Sequence, residues 1–403
     1  MQSKGTSLFA QILQLIDRYK FSTAVRLYNG DRHVKGFPTW DHFVSMLFCQ
    51  LAQAKSLREI STGLKSSLGK LSHMGVRKAP AHSTLAYANE HRDWRIYQQI
   101  FFDFLSVAQG AWNGKRKFRF KNKLFSIDAT VIDLCLTMFD WAKFRRTKGA
   151  VKLHMVLDHD GYLPCFAHVT DGTIHDVNAL NNHILGHFSF DPGAIVVYDR
   201  GYTDFALLTR WITNGVFFVT RLRCNTNYKV KYRRSLPDHT PVIADQEITF
   251  TGFYASQRCP HRLRRIVVYD EKEQRKIVLV TNHMEFAAST IASIYKDRWA
   301  IETFFKTIKQ HLRIKTFVGT SKNAVLVQIW TALIAILLLK YMKMLSAFGR
   351  WSFSTMVALL RFNLFSYRDL RLWLNDPFEG PPYLLDDGQL AFPGFGQHKG
   401  GLI

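Results

Sequence analysis

Three acidic residues stand out for the company they keep. Asp128 interrupts the apolar run Phe125-Ser126-Ile127-Asp128-Ala129-Thr130, where a charge is costly unless it is paired or binds an ion. Asp199 closes the run Ile195-Val196-Val197-Tyr198 and precedes Arg200-Gly201-Tyr202. The carboxyl ends of strands are where ligands gather in an open α/β sheet, although an Asp there also serves as a cap or turn former. Glu302 lies in a helical stretch in which Tyr295, Arg298, Glu302, Lys306 and Lys309 step by 3, 4, 4 and 3 residues and so share one face. Ile294, Ile301, Phe305 and Ile308 populate another face that can anchor the helix to a core. Hard divalent cations such as Mg²⁺ take oxygen ligands and retain waters, so two or three protein carboxylates suffice. Two such ions about 4 Å apart activate the attacking oxygen and stabilise the leaving one in phosphodiester cleavage. A solvated, salt-bridged helix would show the same Glu302–Lys306 spacing, and the residue pattern alone leaves that alternative open.

Carboxylates so far apart in sequence can meet only on rigid elements. Residues 124–132 read as a strand, and 151–157 and 162–169 flank Asp158-His159-Asp160-Gly161, a hairpin turn. A helix over 176–187, a short buried strand over 194–198, a helix over 205–213 and a strand over 216–222 follow. A three-stranded meander, a helix and then parallel strands make an α/β layer arrangement. Strands around 228–233, 247–254 and 264–269 break the alternation, and 276–281 returns to a strand. Helix resumes from 287 to about 344 with a break near Gly319, and a last helix is expected over 367–374. The first 110 residues show helical periodicity. The stretch 56–63, a turn over 72–80 and a helix over 83–97 read equally as a DNA-end-binding unit or as a helical bundle with a solvated basic face. The resulting divisions are 1–114 helical, 115–123 basic linker, 124–220 core, 221–280 β-rich, 281–345 core and 346–403 C-terminal helical region and tail.

The 403 residues carry 54 Lys and Arg against 31 Asp and Glu, a formal charge of +23. That excess points to a polyanion, most simply nucleic acid. Residues 221–277 hold 13 basic and 6 acidic side chains, and Lys115–Lys123 holds six basic residues interleaved with Phe118 and Phe120, a composition that could track a phosphate backbone. Five cysteines without a CxxC pair argue against a disulfide scaffold or zinc ribbon and fit a reducing cytosol. The apolar run 324–339 is too short for the roughly 20 residues of a membrane span, so a buried helix and no membrane partner are expected. Asp158 and Asp160 sit in a turn, Asp133 lies at an odd offset from Asp128, and His154, His159, His168 and His175 lack zinc spacing.

The spacing Tyr295-x2-Arg298-x3-Glu302-x6-Lys309 matches the YREK signature, so the chain resembles the insertion-sequence transposases of family four, a DDE group that cuts and pastes DNA. Gly30-Asp31-Arg32 with Lys35-Gly36-Phe37, Phe139-Asp140-Trp141-Ala142-Lys143-Phe144-Arg145 leading to Lys148-Gly149, and Asp199-Arg200-Gly201-Tyr202 resemble one branch of that family, with its N-terminal helical domain. The resemblance implies an α/β, ribonuclease-H-like core with a β-rich insertion domain and a helical DNA-binding domain. It implies Asp128, Asp199 and Glu302 as catalytic, metal-holding residues for two Mg²⁺ ions, with Mn²⁺ able to substitute. Tyr295, Arg298, Trp299, Lys306 and Lys309 would contact DNA. Partners would be the double-stranded terminal inverted repeats and target DNA, bound by a homodimer in a bacterial cytoplasm, at the nucleoid. Relatives stack a Trp of the insertion on a flipped base. Here no Trp lies between Trp211 and Trp299, leaving Tyr228, Tyr232, Phe250, Phe253 or Tyr254 for that task. Rival expectations are a catalytically silent DNA-binding regulator and a ribonuclease-H-like nuclease that does not join strands.

Overall fold

The structure is a computed structural model. It describes residues 5–378 other than 68, 136, 137, 140, 146, 147, 237–239, 313, 315, 349 and 350, and only the backbone of 143–145 and 148. Asp140 of the motif around Trp141, and the Gly- and Pro-rich tail beyond 378, lie outside the described residues.

One ten-stranded sheet runs through the molecule. Its strands are β1 Leu124–Leu134, β2 Lys143–Arg145, β3 Lys148–Asp158, β4 Leu163–Asp171, β5 Ile195–Tyr198, β6 Phe217–Arg221, β7 Tyr228–Arg233, β8 Val242–Phe250, β9 Leu263–Asp270 and β10 Arg275–Thr281. β1, β3 and β4 form the antiparallel meander, and β5 and β6 add in parallel beside β1. The spatial order β4-β3-β1-β5-β6 is that of a ribonuclease-H-like core. The meander turns at Gly161, at φ +79, and a Cβ there would come within 2.7 Å of the Trp112 ring; only Gly suits both demands.

The basic segment forms no separate sheet. β10 pairs antiparallel with β6, and β9, β8 and β7 follow outward, so these strands extend the core sheet. The strand expected over 247–254 is β8, which stops at Phe250, and Phe253 and Tyr254 start a short helix instead.

The helices are α1 Leu8–Leu13, α2 Arg18–Leu27, α3 Thr39–Ala52, α4 Leu57–Lys65, α5 His82–His91, α6 Arg95–Ala111, α7 Asp176–Ala179, α8 Leu185–His187, α9 Phe205–Thr213, α10 Phe253–Arg258, α11 Ala288–Asp297, α12 Trp299–His311, α13 Lys322–Leu345, α14 Phe353–Asn363 and α15 Leu370–Asn375. The single helix expected over 83–97 is two, because Arg92 leaves helical geometry at φ −83, ψ 122. Buried Arg92 bonds the Phe37 and Pro38 carbonyls there. α13 has 24 residues, longer than expected, and is apolar enough to cross a membrane by length and composition. Its stretch Ala324–Leu339 is nevertheless buried inside the protein against α6 and α3. Its buried Gln328 donates to the Thr316 carbonyl and accepts from the Val318 amide, fixing the return from α12.

Strand alternation sorts the core into layers. Ile195 and Val197 of β5 face Ile291 and Ile294 of α11, while Val196 and Tyr198 face Leu207 and Trp211 of α9. α12 crosses β1 and buries Ile301, Phe305 and Ile308, the expected anchoring face. Each such apolar side chain contributes about 1.5–3 kcal/mol on burial, so α12 is held firmly over β1.

Candidate active site

The register brings the two aspartates together. β1 and β5 are parallel with Ile127 opposite Tyr198 and run about 4.8 Å apart, so Asp128 follows in β1 and Asp199 just past the end of β5. By alternation both share the α11 face with Leu124 and Ile195. Glu302 comes down onto the same place from the first turn of α12.

Arg298 ties the acids to one another. Its guanidinium reaches Asp128 Oδ2 at 3.4 Å and Glu302 Oε1 at 2.7 Å. The Tyr295 hydroxyl donates to Asp199 Oδ1 at 3.4 Å. Burial pushes the Asp128 carboxyl up to about 6, with Glu302 and Asp199 raising it further and the Ala129 amide and Arg298 opposing. Burial works to lower the Arg298 pKa, but Tyr295, Glu302 and Asp128 outweigh it and leave the guanidinium above its ordinary value. The oxygen-only donor set suits a hard divalent cation. Among the described residues no three His, Cys, Asp or Glu groups lie close enough to form one closed cage, and Arg298 occupies the space between Asp128 and Glu302 with positive charge of its own.

The signature residues are not on one unbroken helix. α11 ends at Asp297 and α12 begins at Trp299, with tight three-residue bonds from the Arg298 amide to Tyr295 and from the Ile301 amide to Arg298. Tyr295 and Arg298 turn toward the acids. Lys309 donates to the Val131 carbonyl of β1 at 2.7 Å. Trp299, 62% exposed, and exposed Lys306 face solvent.

Other expected contacts resolve differently. In the linker, Arg116 pairs with Asp160, Lys123 with Asp158 and Asp160, and Lys117 with Asp297. Phe118 stacks on Phe120, and Phe120 on Phe286. Half of its cations therefore clamp the linker to the core, leaving Lys115, Arg119 and Lys121 exposed. Between α4 and α5, Lys70 donates to the Phe365 carbonyl, whereas Lys65, Arg77 and Lys78 are exposed. Of the candidate stacking aromatics Phe250 is buried and Tyr228 lies under Arg265, while Tyr232, Phe253 and Tyr254 are exposed.

Nothing in the sequence singles out Asp297. Hydrogen bonds from His159 and Lys117 keep its carboxyl below the usual range despite burial. No spacing rule links it to His159, which sits in a turn 138 residues earlier.

The comparisons with known proteins come down on one class. The family described as transposase DDE domain matches residues 119–338, more than half of the chain, and a domain of unknown function (DUF4372), found at the N-terminus of one branch of the family, matches residues 4–77. A Sinorhizobium fredii protein named as a transposase, y4zB, is 31% identical over 65% of this chain and 71% of its own length. A Geobacillus stearothermophilus protein named as the transposase of insertion sequence element IS5377 is 30% identical over 57% of this chain and 59% of its own. A Synechocystis protein named for element IS4SA is 24% identical over 79% and 87%. Fold and family together define a ribonuclease-H-like enzyme acting on DNA. The chain belongs to the DDE transposases of insertion sequences, in the family-four group, and with that family goes dependence on divalent metal.

Proposed function

We propose that Asp128, Asp199 and Glu302 are the catalytic acids of cut-and-paste transposition and that they hold two Mg²⁺ ions. The bridge of Arg298 from Asp128 to Glu302, with Tyr295 on Asp199, carries this reading. It puts all three acids in one polar cluster at the carboxyl end of parallel strands. Bound metal supplies an activated oxygen nucleophile and stabilises the leaving oxygen. The protein's part is positional. β1 and β5 fix two carboxylates side by side, and α12 lowers the third onto them. Arg298 neutralises the acids in the absence of metal. A DNA phosphate offers the guanidinium a bidentate alternative, so Arg298 and Tyr295 turn to the transposon end when it arrives. Exposed Trp299 and Lys306 extend that contact, and Phe253 and Tyr254 offer faces on which a base could stack. Lys309 orients β1 through Val131.

The substrate is double-stranded DNA, the terminal inverted repeats and then the target, and two ends call for a homodimer. Helices α1–α6 would hold the ends and the strands beyond β6 the insertion, with the protein working in the bacterial cytoplasm, at the nucleoid. The test is Glu302→Gln with end DNA and Mg²⁺. Strand cleavage should fall by on the order of a thousandfold, about 4 kcal/mol of barrier, with end binding retained. Unchanged cleavage would reject the assignment. Joining of the freed 3′ hydroxyl to new DNA separates transposition from simple nuclease activity.

A further inference from the structure

A chain of short hydrogen bonds lies just behind the acids. His159 Nδ1 is 2.6 Å from Asp297 Oδ2, and His159 Nε2 is 2.6 Å from the Ser126 hydroxyl. Asp297 also accepts from Lys117 and, at 3.3 Å, from the Tyr162 hydroxyl. A carboxylate held ionised only accepts, so Nδ1 carries the proton donated to Asp297. In the neutral ring Nε2 then accepts from the Ser126 hydroxyl. The connectivity is that of a serine-hydrolase triad, but Ser126 is fully buried. With no substrate able to reach its hydroxyl, nucleophilic chemistry is excluded.

What the three residues connect decides what they do. Ser126 lies on β1 two positions before Asp128, on the same face. Asp297 is the last residue of α11, immediately before Arg298, where the helix breaks. His159 follows β3 and is anchored by its own amide to the Leu124 carbonyl. The imidazole thus spans from the strand bearing Asp128 to the break between the helices bearing Tyr295 and Glu302. Apolar packing and the Lys309 bond to Val131 fix α12 over β1 beyond its first turn. The backbone of the turn at Arg298 is closed by short three-residue bonds, and its rotation would swing Arg298 away from the acids.

We propose that His159 is a positioning residue for the transposition reaction: through Ser126 and Asp297 it locks the break at Arg298 to β1, setting Arg298 and Glu302 against Asp128. The inference rests on the assignment of Asp128 and Glu302 made above. Both ring nitrogens are needed. Asn at 159 reproduces Nδ1 but falls short of Ser126, and Ser126→Ala removes the far end while leaving Asp297 its other donors.

The experiment compares His159→Asn and Ser126→Ala with the wild-type chain. Hydrogen exchange on the free, metal-free protein reads the lock directly. Amides 296–302 should exchange up to about tenfold faster, the upper end expected on losing one neutral buried hydrogen bond, while those of α13 stay protected. With end DNA, the cleavage rate in Mg²⁺ should fall about 100-fold, the scale of an ångström of misalignment. The loss in Mn²⁺, which tolerates looser geometry, should be smaller and DNA affinity unchanged. A purely structural defect would lower cleavage equally in both metals and loosen α13 as well, which overturns the proposal. So does unchanged exchange at 296–302 in both variants. Glu302→Gln run alongside keeps the two readings apart. If it still cleaves, the acid assignment fails and the exchange result alone decides the lock. If it is dead while His159→Asn and Ser126→Ala cleave normally in both metals, only the lock fails.

Discussion

Two arginines in this protein sit among carboxylates, and they are built in opposite ways. Arg264 on β9 meets Asp245 on β8 with both oxygens, Nε to Oδ1 at 2.8 Å and Nη2 to Oδ2 at 2.6 Å, and its Nη1 bonds backbone carbonyls including that of His283. Both side chains are almost wholly buried. Arg298 divides itself between two acids, one at 2.7 Å and one at 3.4 Å, with no partner on its Nε among the described residues, beside a Glu302 that is one-third exposed. The first arrangement is closed. Each of the three guanidinium nitrogens has an acceptor in fixed geometry, and losing one side strands a buried charge. The second is open, and an incoming phosphate or cation can take over either partner. Closure marks a staple between strands, and incompleteness marks a site.

The sharpest way to break this contrast is to delete each arginine. Arg264→Ala should cost about 3–5 kcal/mol of unfolding free energy, the scale for leaving a buried partner uncompensated, as read by urea denaturation. Arg298→Ala should instead lower end cleavage by about 10²–10³-fold, the effect of removing one preorganised donor to developing charge, and cost less stability than Arg264→Ala, because its acid partners are the more exposed. If both variants act mainly on stability, the two sites are of one kind.

The acids of the open site should also betray themselves through pH. Asp128 has its pKa raised from 3.8 to about 6 by burial, so ionising it in the fold is disfavoured. Its stabilising contribution is whole below about pH 4 and disappears as pH rises through about 6. In EDTA, Asp128→Asn should therefore be as stable as wild type at pH 4 and more stable at pH 8. The gain is bounded by about 3 kcal/mol at 1.36 kcal/mol per unit. A flat difference across that range would show that Asp128 is not held in a charge-hostile place. A smaller effect is expected on cation binding without DNA. Arg298→Ala should bind Mn²⁺ about tenfold more tightly, about 1.4 kcal/mol, because the guanidinium no longer competes for Asp128 and Glu302. Titration by electron paramagnetic resonance reads this, and weaker binding would show that Arg298 helps hold the ion. The smallest change is Lys123→Ala, an exposed lysine paired with Asp158 and Asp160. It should cost no more than about 1 kcal/mol by the same urea measurement.

Much of the core was legible because its signals are local. The run Ile195–Tyr198 and the amphipathic stretch Phe205–Thr213 state their own structure, and both form as read. Asp128 and Glu302 were conspicuous for their apolar and helical surroundings. The break at Arg298 was not visible, since Tyr295 to Lys309 keeps helical spacing on either side of it. Nor was the fate of Lys115–Lys123. Six cations in nine residues read as a nucleic-acid strip, but Asp160, Asp158 and Asp297 come from remote segments to claim three of them.

What the sequence determined by itself was the inventory and the local geometry: which residues alternate on a strand, which share a helical face, and which acids stand where a charge needs a reason. Those follow from backbone periods of a few residues, and the chain carries them wherever it lies. The tertiary structure decided who meets whom. The parallel register set Asp128 beside Asp199, the pairing of β10 with β6 merged the basic strands into the core sheet, and His159 reached both Ser126 and Asp297. Such meetings depend on how distant segments close on one another, and side-chain chemistry at one position holds no record of the partner that closure will bring.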